Sequence, residues 1–192
     1  MDNSDIRVAK RNERGLLSAE QVATASLEVS AALWRLPFMS RSNRIAVYFA
    51  VGREIDCRFL IEEAWSRGRK VFLPVVTNDG MAFAQYRAST PILRNRFGIP
   101  EPVCAPARFI NPSDIDVVLA PLVAFDERGN RIGMGAGFYD RSFRFLKQRT
   151  RWLRPRLVGL AHELQKAAQI KASSWDVPLH TVVTDRRTYL VR

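Results

Sequence analysis

The stretch DVVLAPLVAFDERGNRIGMGAGFYDR, residues 116–141, decides the fold. Its first part, DVVLAP at 116–121, is continuously apolar rather than alternating, which is typical of a strand buried on both faces of a parallel sheet. A glycine-rich loop follows, and the residues from 138 to 149 are predicted to form a helix. A buried strand, a loop and a helix in this order form the repeating unit of an α/β protein.

The same alternation continues on both sides of this stretch. A basic helix is predicted over 5–15, a second helix opens with a capping box formed by Ser18 and Gln21, and a third is predicted over 57–67. The predicted strands outside 116–121 are RIAVYFA (44–50), KVFLPVV (70–76), MAFAQY (81–86), RLVGLA (156–161) and two short strands near 181–184 and 187–191.

Together these elements predict a three-layer α/β/α sandwich in a single domain over 1–192. The sheet is expected to be mainly parallel, with antiparallel additions such as MAFAQY, which follows an Asn-Asp-Gly turn. Residues 90–113 carry five prolines and are predicted to be irregular. Ligands bind at the carboxyl ends of the strands in such sheets, so we expect the site among the loops at 51–56, 121–137 and 161–164.

The composition indicates a folded protein of a reducing compartment. Hydrophobic residues make up 47% and charged residues 26% of 192 residues, which excludes collagen-like, mucin-like and disordered chains. Two cysteines, Cys57 and Cys104, lie too far apart in the sequence for a zinc cage. The longest apolar runs are far shorter than the ~20 residues of a membrane span, and the N-terminus lacks the apolar core of a signal peptide. We therefore expect a cytoplasmic protein with no membrane contact.

The charge balance favours anionic partners. Thirty basic and nineteen acidic side chains give a net charge of +11, and residues 141–156 contain seven basic side chains and no acid. Two interpretations remain open: a track for nucleic-acid phosphates, or steering of small anionic ligands to an enzyme. A run of this kind is also compatible with a solvated helix face.

The glycine loop predicts an anion site. Gly133, Gly135 and Gly137 alternate just before a predicted helix, so several backbone N–H groups and the positive helix end can approach one phosphate. The spacing matches neither the dinucleotide fingerprint nor a P-loop. Alternating glycines can also form a purely structural turn.

The residues that flank this loop strengthen the phosphate interpretation. Arg131 and Arg141 bracket it with guanidinium groups, which suit bidentate phosphate contacts. Asp140 lies in the first helical turn, where it could hold Mg²⁺ or simply compensate the helix dipole. Glu54 follows a predicted central strand and is a candidate ligand contact, although most loop glutamates are merely solvated.

The other reactive residue types are scarce. The chain contains two histidines, His162 and His180, which disfavours both a Ser-His-Asp triad and a His-rich metal centre. Its four tryptophans have no regular spacing, and most of them are interpreted as core or edge packing.

The segment 116–141 resembles the signature of 5-formyltetrahydrofolate cyclo-ligases, also called 5,10-methenyltetrahydrofolate synthetases. The order D-x-x-x-x-P, a short apolar run, F-D, and G-x-R-x-G-x-G-x-G-x-Y-D-R is longer than any generic glycine motif. Blocks elsewhere are also similar to the family, and they extend the resemblance over nearly the whole chain: AVGREID (50–56), RFGIPEP (96–102), LVGLAHELQ (157–165), WDVP (175–178) and VVT (182–184).

The resemblance implies an enzyme that uses ATP and Mg²⁺ to convert 5-formyltetrahydrofolate to 5,10-methenyltetrahydrofolate, releasing ADP and phosphate. It implies catalytic roles for Arg131, Asp140 and Glu54, with Asp140 as the metal ligand. The implied ATP contacts are Asn3, Arg7, Arg131, Gly133, Met134, Gly135, Ala136, Gly137, Phe138 and Tyr139, and the implied folate contacts are Phe49, Glu54, Phe97 and Phe138. A monomer that does not bind nucleic acid is expected.

Four positions depart from the family pattern. Asn3 replaces a common lysine, so that one phosphate contact is missing or falls to Lys10. Met134 and Ala136 stand where some members have arginine and lysine or glycine, which disfavours a side-chain role at these two positions. His180 stands where some members have an acid, which disfavours a two-carboxylate metal site. The alternatives are a related ATP-dependent enzyme acting on another formyl or amide compound, and a basic nucleic-acid-binding module on the same fold.

Overall fold

The computed structural model describes residues 2–95, 98–149 and 154–191. The helices are α1 (Asn3–Gly15), α2 (Ala19–Trp34), α3 (Pro37–Arg41), α4 (Arg58–Ser66) and α5 (Phe138–Phe143). The strands are β1 (Arg44–Ala46), β2 (Lys70–Thr77), β3 (Gly80–Tyr86), β4 (Ile92–Arg94), β5 (Pro100–Pro102), β6 (Val117–Pro121), β7 (Ala124–Phe125), β8 (Arg131–Ile132), β9 (Arg156–Ala161), β10 (Thr181–Thr184) and β11 (Thr188–Leu190).

The central sheet has seven strands in the order β11-β10-β9-β6-β1-β2-β3. The five strands from β10 to β2 pair in parallel, and the antiparallel strands β11 and β3 form the two edges. Two short hairpin sheets, β4-β5 and β7-β8, lie outside it. The predicted α/β architecture with a mainly parallel sheet is confirmed.

Apolar residues cover both faces of this sheet. On one face, Val29 and Leu33 of α2 and Leu60 of α4 join a buried cluster with strand residues. On the other face, Phe143 of α5 and Leu146 belong to a second buried cluster. Because both faces are covered, the central strands are apolar without alternation, as the sequence pattern indicates.

Hydrogen bonds at its first turn fix where α2 begins. The Ser18 hydroxyl accepts from the Gln21 backbone N–H at 3.1 Å, and the Gln21 side chain accepts from the Ser18 backbone N–H at 2.7 Å. The predicted capping box is therefore confirmed. Within the described parts of the chain, no helix has the length and apolar content that crossing a membrane requires.

Two predicted elements are shorter than the sequence indicates. The strand expected over 44–50 ends at Ala46. Val47 still donates to the Phe72 carbonyl of β2 at 2.9 Å, and both Val47 and Tyr48 are buried, so the apolar run extends beyond the strand itself. The helix expected over 138–149 is α-helical only to Phe143 and continues as a 3₁₀ helix over Arg144–Gln148. Tight 3₁₀ winding aligns residues i and i+3, which fits the burial of both Phe143 and Leu146.

The proline-rich segment 90–113 is more ordered than predicted. Strands β4 and β5 form an antiparallel pair there, and 3₁₀ turns occupy Pro106–Arg108 and Pro112–Asp114. Prolines are compatible with this pairing because they occupy the ends of a short edge strand.

Candidate functional site

The candidate site lies where the order of the strands reverses. Strand β1 lies between β2, which follows it in the sequence, and β6, which pairs with it on the opposite side. The loops that follow β1 and β6 therefore diverge at the carboxyl ends of two adjacent parallel strands, which opens a crevice. A cavity of about 610 Å³ occupies this position, and we call it the glycine-loop cavity. It is lined by Asn3, Arg7, Glu54, Pro121, Leu122, Arg144, Ser173, Trp175, Asp176 and the segment 131–141.

The glycine loop presents free backbone donors to this cavity. Gly135 and Gly137 have φ angles of 104° and 65°, which a residue with a side chain rarely adopts. The N–H groups of 133–136 donate to no other residue among those described. Helix α5 begins directly after Gly137, so its first N–H groups also face this end of the loop. The loop therefore has the donors that an anion requires.

Two arginines fix the shape of the loop. Arg7 of α1 donates from Nε to the Gly133 carbonyl at 3.1 Å. Arg141 donates from Nη1 to the Ala136 carbonyl at 2.8 Å, and its guanidinium lies 5.1 Å from the centroid of the Phe138 ring. Both residues thus act on the loop through its carbonyl groups, which leaves its N–H groups unpaired.

Arg131 and Asp140 form an ion pair beneath the loop. Arg131 Nη2 lies 2.7 Å from Asp140 Oδ1, and the Arg131 side chain is only 7% exposed. The same carboxylate oxygen accepts from the Val177 backbone N–H at 3.0 Å, and Arg131 Nη1 donates to the Val177 carbonyl. The pair therefore joins the N-terminal end of α5 to the segment before β10. Asp140 Oδ2 accepts no hydrogen bond from the described residues.

Glu54 is a buried residue in the wall of the cavity. Its Oε1 lies 3.5 Å from Arg14 Nη1, and its Oε2 accepts from the Val51 backbone N–H at 3.0 Å. Burial raises the pKa of Glu54 above its usual value, and the Val51 hydrogen bond and the positive charge of Arg14 offset only part of that rise. Arg14 also donates to the Leu122 carbonyl at 3.2 Å, so it connects the loop after β1 to the end of β6.

Weakly acidic groups surround this carboxylate. The Tyr48 hydroxyl donates to the Ile55 carbonyl at 3.0 Å, and burial raises its pKa well above the usual range. Burial likewise raises the pKa of Tyr139, and it raises the pKa of Cys57 to about 12. All three therefore stay neutral at physiological pH, and Glu54 is the group here that can carry a negative charge.

The remaining predicted ligand contacts do not all line the glycine-loop cavity. Phe49 does not line the glycine-loop cavity and instead packs edge-on against Tyr86, with ring centroids 5.5 Å apart. Phe97 lies outside the described residues. Asn3 lines the cavity, but its side chain is bonded to the backbone of Lys171 on both sides, at 2.8 and 3.2 Å.

The structure also shows where the residues that depart from the family pattern lie relative to the cavity. Lys10 pairs with Glu13 at 2.9 Å and does not line the cavity, so it does not replace the missing lysine. Met134 lines the cavity and is 58% exposed. His180 accepts the Leu157 N–H at Nδ1, 2.9 Å away, and lies outside the cavity. No cluster of three or more potential metal ligands occurs among the described residues.

Sequence reasoning missed several of the residues assembled here. Arg14 lies seven positions after Arg7, two helical turns along the same face of α1, and this spacing was the available signal. Trp175, Asp176 and Arg144 also line the cavity. The block WDVP (175–178) and the basic run at 141–156 contain them, but neither pattern was assigned to the site. Trp34 and Trp65 pack against a buried cluster, as predicted for most tryptophans, whereas Trp175 is 70% exposed and Trp152 lies outside the described residues.

The described basic side chains of the run at 141–156 have different surroundings. The guanidinium groups of Arg149 and Arg156 stack on Phe145 and Phe38, at 4.7 and 5.1 Å from the ring centroids. Arg141 and Arg144 face the glycine-loop cavity. Arg151 lies outside the described residues. The positive charge nearest the cavity is thus concentrated where a small anion would enter.

Comparison with known proteins gives a consistent result. The chain is 35% identical to the 5-formyltetrahydrofolate cyclo-ligase of Haemophilus influenzae over 181 residues, which cover 93% of this chain and 95% of that protein. It is 32% identical to the enzyme of the same name from Escherichia coli strain K12, over 93% of this chain and 98% of the other.

A solved structure and a family model agree with these relatives. The NMR structure of Aquifex aeolicus 5,10-methenyltetrahydrofolate synthetase superposes with a TM-score of 0.84 at 30% identity, covering 100% of this chain and 94% of the other. The model of the 5-formyltetrahydrofolate cyclo-ligase family matches residues 1–185. The chain therefore belongs to the 5-formyltetrahydrofolate cyclo-ligase family.

Proposed function

We propose that this protein cyclises 5-formyltetrahydrofolate to 5,10-methenyltetrahydrofolate at the glycine-loop cavity, with conversion of ATP to ADP and phosphate. The observation that carries the proposal is the meeting, in one cavity, of a loop of unpaired N–H groups and a buried carboxylate, Glu54. The first suits the phosphates of a nucleotide and the second suits a polar organic substrate. Family membership supplies the reaction.

The reaction needs activation because a formamide carbonyl is a poor electrophile. In the proposed sequence, the formyl oxygen attacks the γ-phosphorus of ATP and ADP leaves. The N10 nitrogen of the same folate molecule then attacks the activated carbon, the bond from that carbon to the phosphorylated oxygen breaks, and phosphate departs. The N10 proton is released to solvent. Since both reacting groups belong to one bound molecule, the second step is intramolecular.

The protein's contribution is to position two anionic ligands and to balance the charge of the transferring group. The free N–H groups of 133–136 and the first turn of α5 would bind phosphate oxygens. Arg7 and Arg141 hold the loop in the shape that leaves those donors free. No covalent nucleophile is required, which agrees with the raised pKa of the buried Cys57 thiol.

The donor set at Asp140 fits a Mg²⁺ ion of the kind that accompanies ATP. Its Oδ1 is engaged by Arg131 and Val177, whereas Oδ2 accepts no hydrogen bond from any described residue. Mg²⁺ commonly binds through one or two carboxylates and takes its other ligands from phosphates and water. We therefore assign Asp140 Oδ2 as the protein ligand, and the ion would supply charge neutralisation on the phosphates.

Glu54 is proposed to orient the folate. Its carboxylate is buried and directed by Arg14 and Val51, so it can accept hydrogen bonds from N–H groups of a pterin at low cost in side-chain entropy. Phe49 and Phe97 remain proposed folate contacts. The basic side chains Arg141 and Arg144 at the cavity would steer both anionic ligands inward. We further propose a cytoplasmic monomer that does not bind nucleic acid.

The direct test measures the absorbance of methenyltetrahydrofolate formed from 5-formyltetrahydrofolate, with and without MgATP. The proposal predicts product formation that depends on ATP and is matched by ADP release. ATP hydrolysis with a different formyl or amide compound, but none with 5-formyltetrahydrofolate, would instead identify a related enzyme. Salt-sensitive binding to random RNA without ATP hydrolysis would identify a nucleic-acid-binding module.

A further inference from the structure

An exposed tryptophan lies on the wall of the glycine-loop cavity. The Trp175 side chain is 70% exposed, and Met134 on the same cavity is 58% exposed. Single exposed apolar residues are common on protein surfaces and need no explanation. Both line a cavity whose wall also carries four arginines and three carboxylates, so they are exposed apolar groups beside a phosphate site that does not use them.

The backbone holds Trp175 in a fixed position. A turn is closed by the Asp176 N–H donating to the Ser173 carbonyl at 3.1 Å and by the Ser173 N–H donating to Asp176 Oδ2 at 2.8 Å. Lys147 Nζ donates to the Ser174 carbonyl. The exposed indole is therefore carried by an ordered turn, and binding a ligand would require little further ordering of the backbone.

The same turn is connected to the phosphate end of the cavity. Val177, two residues after Trp175, is bonded through its N–H and carbonyl to Asp140 and Arg131. Two residues of extended chain span at most about 7 Å, so Trp175 lies beside the start of α5 rather than at a remote part of the protein. Glu54, the proposed folate contact, is instead held by α1 and the loop after β1.

We propose that Trp175, together with Met134, is the surface on which the base of the bound nucleotide stacks. This inference rests on the proposed function, because it takes the nucleotide phosphates to bind the glycine loop. The base is the aromatic part of a nucleotide, and an indole face favours offset stacking with it. Met134 adds a polarizable thioether to the same surface. Stacking of this kind tolerates any base, so it contributes affinity rather than base identity.

The test compares ATP with inorganic tripolyphosphate as ligands of the full chain, by calorimetric titration. For Trp175→Ala, the Kd for ATP should rise roughly 5- to 150-fold, the range expected for loss of one base–aromatic stack. The Kd for tripolyphosphate, which has no base, should stay unchanged, as should the Kd for 5-formyltetrahydrofolate. Trp175→Tyr should restore most of the affinity for ATP. Leu190→Ala removes another exposed side chain, 68% exposed and outside the cavity, and should alter none of these constants.

Turnover provides a second readout. The KM for ATP should rise in Trp175→Ala, while kcat at saturating ATP should remain close to that of the parent protein. An unchanged Kd for ATP, or an equal loss of affinity for ATP and tripolyphosphate, would overturn the stacking role. A loss confined to 5-formyltetrahydrofolate would overturn it as well and would place the folate ring on Trp175. The proposed function fails in a different way, since the parent protein would then bind neither phosphate ligand or form no methenyl product.

Discussion

Arg14 of α1 and Glu54 of the loop after β1 form a buried ion pair. Arg14 Nη1 lies 3.5 Å from Glu54 Oε1, and each side chain is 7% exposed. Burying two charges is costly, and further hydrogen bonds to each partner offset part of that cost. Val51 donates to Glu54, and Leu122 accepts from Arg14. The pair therefore holds a carboxylate in one orientation inside the glycine-loop cavity, which is what a substrate contact requires.

Glu54→Gln should impair the use of folate and leave nucleotide binding intact. The amide keeps the shape of the side chain but loses the charge that strengthens hydrogen bonds to substrate N–H groups. We expect kcat/KM for 5-formyltetrahydrofolate to fall roughly 10- to 100-fold, because a hydrogen bond to a charged group contributes about 1.5–3 kcal/mol. Initial rates give kcat/KM for 5-formyltetrahydrofolate, and calorimetric titration gives the Kd for ATP. Equal turnover by variant and parent would remove Glu54 from the site.

Arg14→Met should lower stability and shift the acid limb of the pH profile. Removing one partner of a buried ion pair leaves the other unpaired, which costs about 3–5 kcal/mol. The shift arises because Arg14 lowers the pKa of Glu54, so its loss should raise that pKa further. If the carboxylate form orients the folate, kcat/KM should then begin to fall at a higher pH than in the parent protein.

Arg14→Met also allows a prediction of how the free energy of unfolding changes with pH. Burial raises the folded-state pKa of Glu54 above its unfolded value, so the folded state binds more protons between these two pKa values. The contribution of Glu54 to the free energy of unfolding must therefore decrease as pH rises through this window. Because Arg14→Met should raise the folded-state pKa of Glu54 further, the free energy of unfolding should continue to decrease up to a higher pH than in the parent protein. Urea unfolding at a series of pH values measures this. In a Glu54→Gln background, Arg14→Met should no longer change the pH dependence of stability. If the change persisted, the effect of Arg14 would not act through the Glu54 carboxylate.

Gly137→Ala should weaken ATP use through the backbone. Gly137 has φ 65°, and an added Cβ would lie 3.1 Å from Arg141 Nη1, the atom that holds the Ala136 carbonyl. The left-handed conformation costs a residue with a side chain about 1–2 kcal/mol, and displacement of the loop should reduce kcat/KM for ATP roughly 10- to 100-fold. Gly68→Ala is the matched control, because Gly68 has φ 67° and open space around it, away from the cavity. If both variants kept parental ATP kinetics, the loop would not be the phosphate site.

Asp140→Asn should raise the Mg²⁺ requirement. Asparagine keeps an oxygen that can accept from Arg131 and Val177, but it lacks the charge that favours a divalent cation. The Mg²⁺ concentration for half-maximal rate at fixed ATP should rise roughly tenfold or more. Asp79→Asn, in the exposed turn between β2 and β3, should not change it. An unaltered Mg²⁺ titration would leave Asp140 with only its contacts to Arg131 and Val177.

The layers and the mainly parallel character of the sheet follow from patterns that are local in the sequence, whereas the order of the strands was not predicted. Continuous apolar runs mark strands covered on both faces, and the glycine loop before α5 marks the cavity. Element ends were less predictable, since Val47 and Tyr48 are buried outside any strand. A residue pattern reports burial, and burial alone does not distinguish a strand from a loop folded into the core.

Much of the site depends on contacts between distant parts of the chain. Asn3 is paired with the backbone of Lys171, and Arg14 is paired with Glu54, forty residues away. Neither pairing has a signature in a single sequence, because nothing local specifies the partner. Trp175 likewise reaches the cavity through the bonds of Val177 to Asp140 and Arg131.

A structure of the protein with a non-hydrolysable ATP analogue, Mg²⁺ and 5-formyltetrahydrofolate would test the central claim most directly. The account predicts that the phosphates contact the N–H groups of 133–136, with the terminal phosphorus facing the formyl oxygen of a folate bound beside Glu54. Phosphates bound away from these N–H groups, with the glycine loop unchanged and the cavity empty, would contradict it.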